Sequence, residues 1–176
     1  MADDFGQQLI DLLPRLRRFA ISLSRSRDVA DDLVQIACEK ALANQHAYEA
    51  GTRLDAWLFR ILRNTWIDRL RRSTTEGTKI DVDEAHYLVG QDGAAVTEAR
   101  LMLNSTAEHL ANLPDDQREV MLLVCVDELS YREAADILEV PIGTVMSRLA
   151  RARKKIMAEM GIDANATRSE DEKGSA

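Results

Sequence analysis

The chain of 176 residues is 45% apolar and 30% charged, with a formal net charge of −7, a composition that suits one soluble globular domain or two small ones. No apolar run approaches the length of a bilayer span, and the acidic start MADDFGQQLI does not read as an export signal, so a cytoplasmic location without membrane insertion is expected. Cys38 and Cys125 fall in helical patterns with no second ligand at metal spacing; buried reduced thiols are the default, and a redox role for either is not decided by the sequence.

In chain order, residues 4–43 read as two helices, with Pro14 near the start of the first and a break at the Ser-Arg-Ser-Arg of residues 24–27. Leu9, Leu12, Leu13, Leu16, Phe19, Ala20 and Leu23 form the apolar stripe of the first. Asp28 can cap the second, in which Val29, Leu33, Ile36, Ala37 and Ala41 pack inward while Asp31, Asp32, Gln35 and Glu39 face out. That polar face is either solvated or a partner site, and spacing alone favours solvation.

After a loop near residues 47–51 comes RLDAWLFRILRNTWIDRLRR. On an uninterrupted helix Leu54, Leu58, Ile61, Leu62, Thr65 and Trp66 fill a packed arc, and Arg53, Arg60, Arg63, Asn64 and Arg71 make a polar stripe able to follow a phosphate backbone. Trp57, Phe59 and Trp66 lie at the arc's edges, where a ring could stack on an unpaired base or complete the core; the core role is favoured for the tryptophans. Residues 73–93 lose the helical period and read as a linker. Helical spacing resumes over residues 94–113 through Val96, Leu101, Leu103, Ala107 and Leu110, and Leu113-Pro114-Asp115 starts another helix, with Val120, Leu123 and Val124 leading onward. The polar end beyond Gly161 is expected to fray.

Residues 130–156, SYREAADILEVPIGTVMSRLARARKKI, carry the pattern of a helix-turn-helix. Ser130 with Glu133 is a capping box, and Tyr131, Ala134, Ala135 and Leu138 are the first helix's apolar positions. Val140-Pro141 ends that helix, and Pro141 and Thr144 mark the start of the second. There Val145, Leu149, Ala152 and Ile156 share one face, leaving Thr144, Ser147, Arg148, Arg151 and Lys155 for a groove. Residues 148–155 hold five cations and no acid, residues 53–72 six cations against Asp55 and Asp68, and residues 76–98 six acids against Lys79 alone. Two basic surfaces separated by an acidic connector are thus concealed by the net charge. His46, His86 and His109 stand alone, and neither a Gly-rich phosphate loop nor a nucleophile elbow occurs. No catalytic residue, metal or cofactor is expected.

Four ordered motifs, DDLVQ (residues 31–35), AWLFRILRNTWIDRLRR (56–72), LPDDQREV (113–120) and LSYREAADILEVPIGTVMSRLARAR (129–153), resemble bacterial sigma factors of the extracytoplasmic-function (ECF) group. The resemblance spans residues 9–160, and the N-terminal half is similar to the alphaproteobacterial general-stress-response branch. It implies an all-α protein of two small helical domains: sigma domain 2 at 4–72, an acidic flexible linker at 73–95, sigma domain 4 at 96–160 and a polar tail at 161–176. Domain 2 would dock Asp31, Asp32, Gln35 and Glu39 on the β′ clamp helices of core RNA polymerase and open the −10 element. A flipped base would sit near Asn64, with Arg53, Arg60, Arg63, Trp66 and Arg71 also at the DNA. Domain 4 would meet the β flap and place Thr144, Ser147, Arg148, Arg151 and Lys155 at the −35 element, with Ser147, Arg148 and Arg151 foremost. The linker acids Asp81, Asp83 and Glu84 would suit a positive channel in polymerase, although composition alone fits a plain spacer equally.

The resemblance further implies a specificity subunit that is no enzyme, restrained by an anti-sigma factor. Ile36 departs from the family pattern, which often has Glu there; so do Met146 and Ala150, where some members place Arg and an aromatic, and Val124, which replaces an Arg. Which −35 bases are read therefore does not follow. A one-component transcription factor would leave the basic aromatic segment at 53–72 unexplained, and a sigma mimic that sequesters an anti-sigma factor would be expected to have lost Asn64, Arg148 and Arg151.

Overall fold

A computed structural model describes residues 2–77 and 107–161, which are helical with no strand among them. The first three helices, α1 (Ala2–Ser24), α2 (Arg27–Ala43) and α3 (Leu54–Glu76), pack pairwise into a bundle. Leu16, Phe19, Leu33, Leu58, Phe59 and Leu62 are its buried centre, with the Phe19 and Phe59 rings edge to face at 5.2 Å. Apart from Leu33, the buried positions of α2 are the alanines Ala30, Ala37 and Ala41, so α1 and α3 can approach its backbone closely.

Pro14 lies inside α1 rather than near its start. Its ring angle is helical, and the carbonyl it deprives of a partner belongs to Ile10, which is exposed to water, so the helix runs on. The break after Ser24 is made by hydroxyls. Ser24 donates to the Ala20 carbonyl at 2.9 Å, Arg25 adopts a left-handed φ of 55°, and Ser26 caps α2 by accepting from the Val29 amide at 3.4 Å. The expected cap, Asp28, sits instead in the first turn, where its charge favours the helix dipole.

α3 is unbroken through Asn64 and continues past residue 72 to Glu76, ending on Gly77 in the left-handed conformation at φ 67°. The first residues of the expected linker therefore belong to a helix. Ser73, Thr74 and Thr75 turn their hydroxyls back onto its carbonyls, which makes the polar composition there compatible with helix. The linker acids Asp81, Asp83 and Glu84, together with His86 and the tail, lie outside the described residues; of the helix expected over 94–113, only 107–113 is described, and it is helical to 111.

The C-terminal unit comprises α4 (Asp115–Met121), a wide π-helical turn (Leu122–Val126), α5 (Tyr131–Leu138) and α6 (Ile142–Glu159). Both halves of the expected capping box are present: the Glu133 amide donates to Ser130 Oγ at 3.2 Å, and the Ser130 amide to Glu133 Oε2 at 2.7 Å. Glu139 ends α5 in the left-handed conformation. Val145, Leu149 and Ala152 bury the inner face of α6. Cys125, expected to be buried, is exposed on the π-helical turn; Cys38 is partly buried, and burial, with Glu39 adding to it, raises its thiol pKa.

The two units pack on each other, α1 against α4 and α3 against α5. The contact is polar at its centre. Arg118, 1% exposed, donates from α4 to the Ser22 carbonyl on α1 through Nε at 3.1 Å and Nη2 at 2.9 Å. Asp127, just past the π-helical turn, receives Arg15 at 2.9 Å and Arg18 at 2.7 Å from α1.

Candidate nucleic-acid interface

The reading helix of the helix-turn-helix, α6, is anchored by its apolar face and leaves Gly143, Met146, Ser147, Ala150 and Arg151 exposed along the other. The expected −35 residues are not equally free. Arg148 is held by Asp116 of α4, Nε to Oδ2 at 3.2 Å, and Lys155 donates to the Asn112 carbonyl at 2.8 Å. Ser147 donates to the Thr144 carbonyl one turn back at 3.1 Å, and Thr144 is half-buried. Arg151 is exposed and uses only Nε on its own helix, to the Ser147 carbonyl at 3.3 Å, which leaves its guanidinium fork able to meet phosphate or a base edge.

The stripe expected along α3 divides into two. Arg60, Asn64 and Arg71 are exposed on one open face, where three turns of helix can track a strand. Arg53 and Arg63 instead turn toward the C-terminal unit. Arg53 pairs with Asp55 at 2.7 Å and with Glu133 of α5 at 3.4 Å, and donates to the Glu128 carbonyl at 3.0 Å. Arg63 pairs with Glu119 of α4 at 3.2 Å. Trp66, which its spacing favoured for the core and the resemblance placed at the DNA, is 7% exposed and packs in the core. Trp57 is half-buried in a cluster with Phe5 and Tyr48.

Two carboxylates at this contact are shifted in opposite directions. Burial pulls the Asp55 carboxyl up, but hydrogen bonds from Arg53 and Arg15 outweigh it and hold the group below its ordinary pKa. Glu119 goes the other way: burial raises its pKa, and Arg63 only partly offsets that. The sequence reading missed Asp116, Glu119, Asp127 and Arg118 as partners, since their contacts with Arg148, Arg63, Arg15 and Ser22 cross separations that helical periodicity does not encode.

On α2, Asp31, Asp32, Gln35 and Glu39 are all exposed on one side. Asp31 pairs with Arg17 at 2.6 Å, and this pairing holds its carboxyl low; Asp32 meets Arg69 at 3.7 Å. Ile36, expected inward, is 37% exposed beside them, and Leu42 is 53% exposed. The acidic face therefore carries an apolar component that the wheel assigned to the core or overlooked. His109, read as isolated, has Nδ1 2.9 Å from Glu159 Oε2. Among the described residues no cluster of His, Cys, Asp and Glu is placed to hold a metal ion.

Comparison with known proteins gives two family matches, Sigma-70 region 2 over residues 9–76 and Sigma-70 region 4 over residues 105–156. The chain is 39% identical to the ECF RNA polymerase sigma factor EcfG of Rhodopseudomonas palustris, over 93% of this chain and 88% of the relative. It is 30% identical to the ECF RNA polymerase sigma factor SigM of Bacillus subtilis, over 80% and 85%. Among solved structures it is similar to the sigma factor RpoE in complex with the anti-sigma factor NepR from Bartonella quintana, at 38% identity and a TM-score of 0.71, covering 91% of this chain and 98% of that one.

Proposed function

The chain belongs to the ECF group of bacterial RNA polymerase sigma factors, and on that premise we propose how its surfaces divide the work of promoter recognition. The bundle of α1–α3 binds core polymerase through Asp31, Asp32, Gln35 and Glu39, with Ile36 and Leu42 adding apolar area. The open face of α3 takes the −10 strand, Asn64 at the flipped base and Arg60 and Arg71 on phosphates. The face of α6 enters the −35 major groove. Polymerase supplies the chemistry, the sigma factor none, and both act in the cytoplasm.

The observation that carries this reading is the pair of exposed basic faces on separate helices, Arg60 and Arg71 on α3 and Arg151 with its neighbours on α6. A single helix-turn-helix repressor needs only the second. Elements centred near −10 and −35 are about 25 base pairs apart, roughly 85 Å at about 3.4 Å per pair, whereas a compact body of this size is roughly 35–40 Å across. The contacts through Arg118, Asp127, Arg53 and Arg63 must therefore part when both elements are engaged. An anti-sigma factor that favours the closed arrangement would keep Arg53 and Arg63 from promoter phosphates. Two findings support control of this kind: the bound partner in the similar RpoE structure is an anti-sigma factor, and the N-terminal motifs point to the stress-response branch.

The test is run-off transcription by purified core polymerase on a library of promoter fragments, with and without the protein. Initiation at a discrete subset only in its presence is the expected result. Binding to duplex DNA without polymerase, and no initiation, would overturn the proposal.

A further inference from the structure

We propose that Met146, assisted by Ile142 one turn earlier, reads thymine methyl groups in the −35 major groove, and that Arg148 is a positioning residue rather than a base reader. The inference rests on the promoter-recognition function proposed above and adds the chemistry of the specificity.

Large apolar side chains held in water at the start of a reading helix cost free energy in the unbound chain, and here two occupy one face. Met146 is 52% exposed and Ile142 49%; they stand four residues apart, along one flank of the buried stripe of Val145, Leu149 and Ala152. Gly143 between them has open space where a side chain would project, and Ala150 continues the surface as another small residue. The result is a low apolar patch that can lie close to base edges. Its surroundings select the occupant. α6 carries Arg148, Arg151, Arg153, Lys154 and Lys155, with its single acid, Glu159, at the far end, so the patch is flanked by charge suited to phosphates rather than to a second protein's apolar core.

In the major groove the C5-methyl of thymine is the apolar mark that separates it from the other bases, and a flexible thioether adapts to it readily. The polar candidates nearby are already engaged. Arg148 is paired with Asp116 at 3.2 Å, Ser147 hydrogen-bonded to its own helix at 3.1 Å, and Lys155 tied to Asn112 at 2.8 Å. Arg148 thus fixes α6 against α4, which sets the angle at which Met146 is presented.

The experiment uses the full chain with core polymerase. A −35 region is selected from randomised duplexes, and each thymine in it is then replaced by deoxyuridine, which lacks the methyl. At one or two positions wild type should lose about fourfold in binding, the worth of one buried methyl. Met146→Ala should already be weaker by that factor on thymine DNA and lose nothing further on deoxyuridine, and Ile142→Ala should do the same at a neighbouring position. Equal deoxyuridine losses in wild type and both variants would overturn the inference. So would an absence of any loss while a discrete −35 preference persists; in that case promoter recognition itself would still stand. If no −35 preference emerges at all, the sigma function is what has failed, and this inference falls with it.

Discussion

Arg118 holds the Ser22 carbonyl with two N–H groups, at 3.1 and 2.9 Å, joining α4 to the end of α1. A third donor reaches the Leu113 carbonyl at 2.8 Å, and Nη2 also meets Asp115 at 2.6 Å. Few side chains could do this. The guanidinium fork satisfies carbonyls at a helix end that would otherwise be buried without partners.

Arg118→Ala should therefore lower stability by about 2–4 kcal/mol, through orphaned carbonyls and a cavity. Arg118→Lys should recover only part of this, because one ammonium cannot span the same acceptors. Urea unfolding of the three proteins checks the order, and a loss below about 1 kcal/mol for the alanine variant would show the contact to be dispensable.

Acid sensitivity should centre on Asp55. Its pKa is lowered in the folded chain because Arg53 and Arg15 outweigh burial. The stability it contributes is complete above the ordinary aspartate range near about pH 4 and is lost as pH falls through the lowered value. Glu119 has the opposite sign, its raised pKa favouring the fold at low pH and costing stability as pH rises through it. Melting temperature against pH should show a steep acid limb in wild type, flattened in Asp55→Asn. An unchanged limb would assign the acid loss to other carboxylates.

How much of this was legible beforehand depends on range. The capping box at Ser130 and Glu133, the inner face of α6 and the inward leucines of α3 are local patterns, and each is found where periodicity places it. Pro14 and Ile36 misled for local reasons as well: a proline has a helical φ wherever it stands, and an isoleucine next to an alanine-lined seam can turn outward. The pairs Arg63 with Glu119 and Arg148 with Asp116 could not be read, because either arginine fits equally well on a solvated wheel until the neighbouring helix is placed.

Arg148→Ala tests the division of labour on α6. The pair with Asp116 is partly exposed, so its loss should cost no more than about 1 kcal/mol of stability. Binding to the −35 element should weaken and the thymine-over-deoxyuridine discrimination at the position Met146 reads should shrink, while the preferred base at every position stays the same. Arg151→Ala should weaken DNA binding and also reduce its salt dependence, by about one phosphate contact. A change of preferred base in Arg148→Ala would return that residue to direct readout.

Asn64→Ala should separate melting from docking. Asn64 is exposed on α3 between Arg60 and Arg71, so its removal leaves the core intact and takes away one polar group from the face proposed to bind the −10 strand. Transcription from duplex promoters should fall more than transcription from templates already melted at −10. Equal falls on the two templates would place the residue in binding rather than opening.

Glu119→Gln bears on the closed arrangement. In the folded chain Glu119 pairs with Arg63 at 3.2 Å, so it competes with any promoter phosphate that this arginine would meet. An amide still accepts a hydrogen bond but carries no charge, so Arg63 should exchange more readily for DNA. The holoenzyme made with this variant should bind promoter roughly three- to tenfold more tightly at low salt, with the advantage shrinking as salt screens the wild-type pair. The change also removes the cost of ionising a buried carboxylate, so the variant should melt no lower than wild type at neutral pH. Tighter binding without lost stability is the signature of a competing anion removed. Weaker binding would mean that Glu119 orients Arg63 for DNA instead of withholding it.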